Sequence, residues 1–445
     1  MEAKYMQNEL YAPVKQTKSI RYAFGMFGTS IPINMFKTYA AFFYIDRLGF
    51  ITTRQFSLIL FIYTFIDAID NPVYGFLSDR TRTRWGRRRP WLMIGAPLLV
   101  LSFILFFNPP GILGQGSVFS YMLIMYILTG TLDSLINTNY GALFPELFRG
   151  DEVRAKTNAM RQAFQFVAMI ISIALTPMIT DKIGFSTTAI IYGILAIIVI
   201  WYMALGANEL PESMGKPKPA FWSTIKAIVT NPKFWIYGIT NASFYASIGL
   251  VQAGIPFYVK YHLGEEGLGA TIMLGIAIMT AIIFIPVWVK IIKKTSLMSA
   301  WRRSFIIIAI SILPLYFINS LTASAIVVIA FGFGFAGVAT TMDIVSARIL
   351  DEDTRKHGIQ REGSFSSLLG VLNKFGGLFT SAAYLLLFML YGFESGDNPG
   401  TMPGEASKFM TVLFPIVILV VCIIMSRFLN FNDNSKAQTE ELQPY

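Results

Sequence analysis

Apolar runs of about 20 residues follow one another along the whole chain, separated by short polar connectors. A hydrocarbon layer about 30 Å thick takes about 20 residues of α-helix to cross, and inside it a backbone must satisfy all its own hydrogen bonds. The runs lie near residues 20–45, 53–78, 90–108, 117–146, 158–181 and 185–206, then near 231–261, 267–291, 299–318, 322–350, 362–392 and 406–430. An all-α membrane protein with twelve transmembrane helices is predicted. Of its 445 residues 14% are charged, against about 25% in soluble domains, and no stretch is left for a sizeable soluble domain.

The longest internal polar stretch, Asn208 to Pro219, holds the prolines and glycine that keep it from being helical. It divides the chain into two sets of six helices whose loops echo each other. Arg80–Arg89 after the second helix answers Lys290, Lys293, Lys294, Arg302 and Arg303 after the eighth. Arg149–Arg161 answers Arg348–Arg361, with Asp151-Glu152 matching Asp351-Glu352. An offset of about 200 residues reads as two pseudo-symmetric six-helix bundles that rock about a central site. The expected organisation is a cytoplasmic tail over 1–19, a bundle over 20–206, a cytoplasmic linker over 207–230, a second bundle over 231–430 and a cytoplasmic tail over 431–445.

Orientation follows from the basic loops. Those after helices 2, 4, 6, 8 and 10 carry Lys and Arg, whereas 108–117 is uncharged and 392–407 is net acidic, which places both termini in the cytoplasm of a cell membrane. The net charge of +10 sits in these short loops, so it reads as membrane orientation and not as nucleic-acid binding. Residues 1–19 lack the pattern of a cleaved signal peptide. Cys422 is the single cysteine and His262 and His357 are the two histidines, too few for a disulfide framework or a zinc cluster. With no convergent His/Cys set and no nucleophile motif, an embedded enzyme is not expected, nor is a cofactor.

Charge inside apolar helices costs about 2.5–3.5 kcal/mol per group on insertion scales, so such residues are functional candidates by default. Asp67, Asp70 and Asn71, at spacings of three and four, share one helical face and make an oxygen-rich site for Na⁺ or a proton. No other metal is expected. Lys37 lies about 12 Å inside the first helix at 1.5 Å per residue, with Asn34 and Ser30 behind it in a polar stripe that implies a cavity. The fourth helix adds Asp133, Asn137 and Tyr140 at i, i+4 and i+7; the eleventh adds Asn373 and Lys374; Arg161 opens the fifth. Buried Lys374 needs an anionic partner, which Asp67, Asp70 or Asp133 could supply. Asp343 and Arg348 suit a gating pair near the cytoplasmic surface. Tyr39, Phe43, Tyr140, Phe244, Tyr245 and Tyr258 are candidates for stacking on a sugar ring.

The segment Asp67-Ala68-Ile69-Asp70-Asn71-Pro72, Gly75 and the run Asp79–Trp91 resemble the glycoside–pentoside–hexuronide:cation symporters of the major facilitator superfamily, the melibiose permease-like family. The resemblance continues through Asn139–Leu147, Arg154, Arg361-Glu362-Gly363 and Lys374, and so covers both halves. It implies alternating access and uptake of a sugar or glycoside driven by H⁺ or Na⁺, by a monomer in the lipid bilayer. It aligns the family's two helix-2 cation-site carboxylates with Asp67 and Asn71, so the second acid is displaced here to Asp70. Lys374 aligns with a lysine near that site and Arg161 with a sugar-binding arginine. Ser30 and Asn137 stand where sugar-binding acids occur, and Arg154 and Arg361 fall in the gating loops. Losing those two anions while retaining Lys37, Arg161 and Lys374 favours an anionic sugar such as a uronide or a sulfonated sugar. A carrier of another amphiphile, such as a lysolipid, is the competing reading.

Overall fold

The computed structural model describes residues 17–81, 83–111, 115–148, 151–209, 226, 228–265, 267–357 and 362–431. Their regular structure is helical apart from an isolated bridge between Thr83 and Gly86. In chain order the helices are α1 (Ser19–Ala41, continued as a π-helix over Phe42–Arg47), α2 (Thr53–Arg80), α3 (Arg89–Phe106) and α4 (Gln115–Leu147). Next come α5 (Asp151–Met169, with a π-helical Ile170–Ala174) and the segment Thr176–Gly206. That segment turns at Gly184, at φ 79° and ψ 162°, so residues 176–183 complete α5 and 185–206 form α6. The second half has α7 (Pro232–Tyr258, then π-helical Val259–Leu263), α8 (Gly267–Lys294), α9 (Leu297–Ile312, then a 3₁₀ turn Leu313–Tyr316) and α10 (Leu321–His357). It ends with α11, in two pieces Glu362–Lys374 and Gly376–Tyr391, and α12 (Pro403–Lys408, π-helical Phe409–Leu413, Phe414–Phe428).

Ten helical spans among the described residues are long and apolar enough to cross a membrane. The exceptions are α1 and the first part of α5, which carry the charges and polar stripe noted in the sequence. Protein surrounds α1: it packs along α5 and α6, and Tyr22, Ile31, Phe36 and Tyr39 are buried. A helix enclosed in this way need not be apolar towards lipid. Two boundaries differ from the periodicity. α5 starts at Asp151, not near 158, because its first turns project beyond the apolar layer; α10 likewise runs on to His357. A further difference is the irregular turn at Phe375 in α11, φ -64° and ψ -13°, within what reads in the sequence as one helix. Residues 210–225 of the expected linker lie outside the described residues.

At the end of the bundle opposite the basic loops the two halves are bound together. Asp46, at the end of α1, accepts from Lys260 Nζ at 2.7 Å and from the Tyr261 hydroxyl, both at the end of α7. Gly396 N donates to Ile45 O at 2.7 Å and Thr53 N to Glu394 O at 2.8 Å. Farther along, Ser57 Oγ of α2 lies 3.1 Å from Ser381 Oγ of α11. Gly377 brings the same two helices close at Thr64, where a Cβ would come 2.4 Å from Oγ1. By contrast α4 and α10 share no extended packing among the described residues. Lys37 is 59% exposed although only nine residues, about 13 Å of helix, separate it from Asp46. The space beside Lys37 is therefore open although the halves are joined so near to it.

The basic end has its own anchor. The backbone N–H groups of Arg87, Arg88 and Arg89 all donate to the Glu209 carboxylate, at 2.8, 2.9 and 2.9 Å. Gly86 makes room for it: its φ is +104°, and a Cβ there would meet the carboxylate at 2.5–2.8 Å. Arg87 Nη2 in turn reaches Glu146 of α4 at 2.6 Å, and Arg88 Nη1 reaches Ser78 Oγ of α2 at 2.5 Å. The arginine-rich run thus ties α2, α3 and α4 to the first residues after α6.

Candidate functional site

Polar side chains from α1, α2, α4 and α11 converge near the middle of the bundle. Asp67 is the centre of the network: its Oδ1 accepts from Lys374 Nζ at 2.5 Å, from Ser134 Oγ at 3.0 Å and from Tyr63 OH at 3.0 Å. Lys374 also donates to Ser134 Oγ at 2.9 Å. Of the three anions the sequence offered for Lys374, the fold selects Asp67, and so ties the halves together by an ion pair 14% and 17% exposed. Lys374 ends the first piece of α11, where the negative end of the helix dipole adds to the field of the carboxylate.

The neighbouring acceptors of α2 are held by α4. Asn71 Oδ1 accepts from Thr138 Oγ1 at 3.0 Å, and Asp70 Oδ2 accepts from Thr131 Oγ1 at 2.9 Å. Asp70 is buried and has no basic partner within ion-pair distance among the described residues. Asp67, Asp70, Asn71, Ser134 and Thr131 together offer carboxylate, amide and hydroxyl oxygens, the donor set suited to a hard cation such as Na⁺, and Asp70 alone suits a proton. Thr131, Ser134, Thr138 and Tyr63 were missed in the sequence. Their signal was a Thr/Ser stripe at i, i+3 and i+7 on α4, which is as common in ordinary helix packing.

One turn away, Lys37 Nζ lies 3.6 Å from Asp133 Oδ2, and Asn137 Nδ2 donates to Asp133 Oδ1 at 2.5 Å. Asn34 Nδ2 is buried without a hydrogen-bond partner. Ser30 is buried. Asn373 faces α7, accepting from Asn241 Nδ2 at 2.8 Å. Arg161 lies against three rings: its guanidinium carbon is 5.1 Å from the centroids of Tyr140 and Phe144 and 5.8 Å from that of Tyr22. No carboxylate lies within ion-pair distance of it among the described residues, and its Nε is buried and unbonded.

Several sequence expectations change here. Tyr140 is fully buried and stacks on Tyr22 at 4.7 Å, so its ring supports Arg161 and is closed to a sugar. Tyr39, Phe43, Phe244 and Tyr258 are buried too, whereas Tyr245 is 57% exposed; packing, which a sequence does not show, separates them. No ion pair joins Asp343 to Arg348, and both are exposed; Arg348 instead lines a cavity with Arg302 and Arg303. The Arg154 side chain and Arg361 lie outside the described residues. The pair that closes one end, Asp46 and Lys260, was not singled out in the sequence.

A family model described as MFS/sugar transport protein matches residues 21–433. The isoprimeverose transporter of Lactiplantibacillus pentosus is 24% identical over 421 residues, 91% of this chain and 86% of that one. A glucuronide carrier protein homolog of Escherichia coli K12 is 22% identical over 419 residues, 91% of each chain. The crystal structure of the nucleoside transporter NupG superposes with a TM-score of 0.68 over 92% of this chain and 99% of that chain, at 9% identity, which demonstrates a shared fold.

Proposed function

The chain belongs to the MFS/sugar transport protein family, and from that premise we propose that it is a cation-coupled symporter of an anionic sugar or glycoside. The two lysines of the cavity are each matched by a carboxylate, Lys374 by Asp67 and Lys37 by Asp133. Arg161 is held by aromatic faces instead, so its charge stays available to a substrate carboxylate or sulfonate, which a guanidinium binds bidentately. That unmatched Arg161 is the observation that carries the reading. The glucuronide carrier homolog is consistent with it. Lys37, Asn34, Asp133 and Asn137 then serve the sugar hydroxyls, and Tyr245 supplies an exposed ring.

The cation, H⁺ or Na⁺, binds at Asp67, Asp70 and Asn71. Charge neutralised there weakens the Asp67–Lys374 pair, which spans the two halves, so cation loading and rearrangement of the halves share one bond. The basic loops face the cytoplasm, both termini are cytoplasmic, and the described conformation opens inward. The protein acts as a monomer in the cell membrane. Radiolabelled glucuronide and neutral glycoside uptake into cells expressing the protein tests the proposal. Glucuronide uptake is expected to dominate and to fall at least about tenfold in Arg161→Gln, since a charged hydrogen bond is worth about 1.5–3 kcal/mol. Uptake confined to neutral glycosides overturns the anionic reading.

A further inference from the structure

Away from the central site, the second half holds a basic cavity. At the basic end, the start of α9, the lower part of α10 and the end of α12 border an open cavity of about 320 Å³, lined by Ser296, Ser299, Arg302, Arg303, Arg348 and Phe431 among others, with no acidic residue among the described ones. Arg302 is a fixed wall: Nε donates to Ser426 O at 3.0 Å, and Nη2 to Leu429 O at 2.7 Å and Asn430 Oδ1 at 2.6 Å. It thereby caps the last carbonyls of α12. Arg303 and Arg348 are exposed, and neither takes part in an ion pair among the described residues. Three guanidinium groups around one space repel each other unless an anion sits between them. The site also has serine hydroxyls, and Ser296 caps α9, accepting from Ser299 N at 3.2 Å, so the positive end of that helix borders the same space.

We propose that this cavity recognises a phosphate group, the phosphodiester of an anionic membrane lipid. Basic pockets between transmembrane helices at the headgroup level suit such ligands. The apolar surface a lipid needs is adjacent: Phe431 lines the cavity and Phe428 on α12 is 65% exposed. A free phosphate compound would use the same guanidiniums without the tail.

The test uses the purified full-length protein in detergent, with binding read by native mass spectrometry and by thermal unfolding. Phosphatidylglycerol, phosphatidylcholine and inorganic phosphate are compared on the parent protein, on Arg303→Ala/Arg348→Ala and on Lys293→Ala/Lys294→Ala, which removes nearby charge outside the cavity. Arg302 is left intact because it braces α12. Phosphatidylglycerol, and not phosphatidylcholine, is expected to bind and to raise the unfolding temperature. The arginine pair should lower its affinity on the order of thirtyfold, about 1 kcal/mol per basic residue, and the lysine pair should leave most of it. An arginine-dependent response to inorganic phosphate but not to the lipid supports the phosphate chemistry and moves its source to a soluble compound. Lipid binding untouched by the arginine pair, or weakened equally by the lysine pair, overturns the proposal.

Discussion

Asp67 and Lys374 stood out as charges in apolar helices, where an unpaired ion is too costly to be incidental. Their mutual contact, 2.5 Å across 307 residues of chain, joins two residues from different halves. Removing one partner strands the other charge in a site with little solvent. Asp67→Asn and Lys374→Ala should therefore each lower stability by about 2–3 kcal/mol, whereas the double substitution should regain most of that loss. Concentrative uptake should be absent in all three, with ligand exchange retained. Detergent unfolding curves set beside uptake and counterflow separate the two effects, and a double variant that also recovers concentrative uptake would remove Asp67 from the coupling site. Arg161 illustrates the reverse case. Its position was legible, but its support was not, because Tyr22, Tyr140 and Phe144 look in sequence like three more aromatics of a chain with 38 Phe and 20 Tyr.

Helices were legible as elements, and their interruptions were not. The apolar period gives the span of α11 but not its irregular turn at Phe375, since no proline marks it. The irregularity falls beside Lys374, where Phe375 keeps right-handed helical dihedrals, so α11 continues past the ion pair with one loosened turn. The π-helical ends of α1 and α7, Phe42–Arg47 and Val259–Leu263, likewise bring Asp46 to Lys260 and Tyr261. Between elements, the arginine-rich connection is an anchor as much as an orientation signal, because three of its N–H groups close on Glu209. Glu209→Ala leaves those donors without their acceptor and should cost about 1–3 kcal/mol. Gly86→Ala should cost a similar amount by forcing a left-handed backbone and crowding the same carboxylate. Hydrogen exchange would detect both as faster opening of residues 83–92. If Gly86→Ala is additive with Glu209→Ala in a double variant, the glycine serves some purpose other than admitting the carboxylate.

For the whole molecule, alternating access predicts that a bond across the closed end arrests the cycle. Ser57 and Ser381 face each other with their hydroxyls 3.1 Å apart, and the single native cysteine, Cys422, is buried and will not compete. Ser57→Cys/Ser381→Cys should cross-link under mild oxidation, lose uptake and recover it with reductant; full uptake by fully cross-linked protein would show that this seam stays closed throughout transport. The twelve spans, the two halves and the charges worth attention came from the sequence alone, because hydrocarbon thickness and the cost of a buried charge act on each segment locally. Which end is sealed, which anion Lys374 takes, which of the candidate aromatic rings stays exposed and that Arg161 lies against rings depended on tertiary structure. Each of those is a meeting of helices far apart in the chain, and helical periodicity tells which face a residue lies on but not what that face meets.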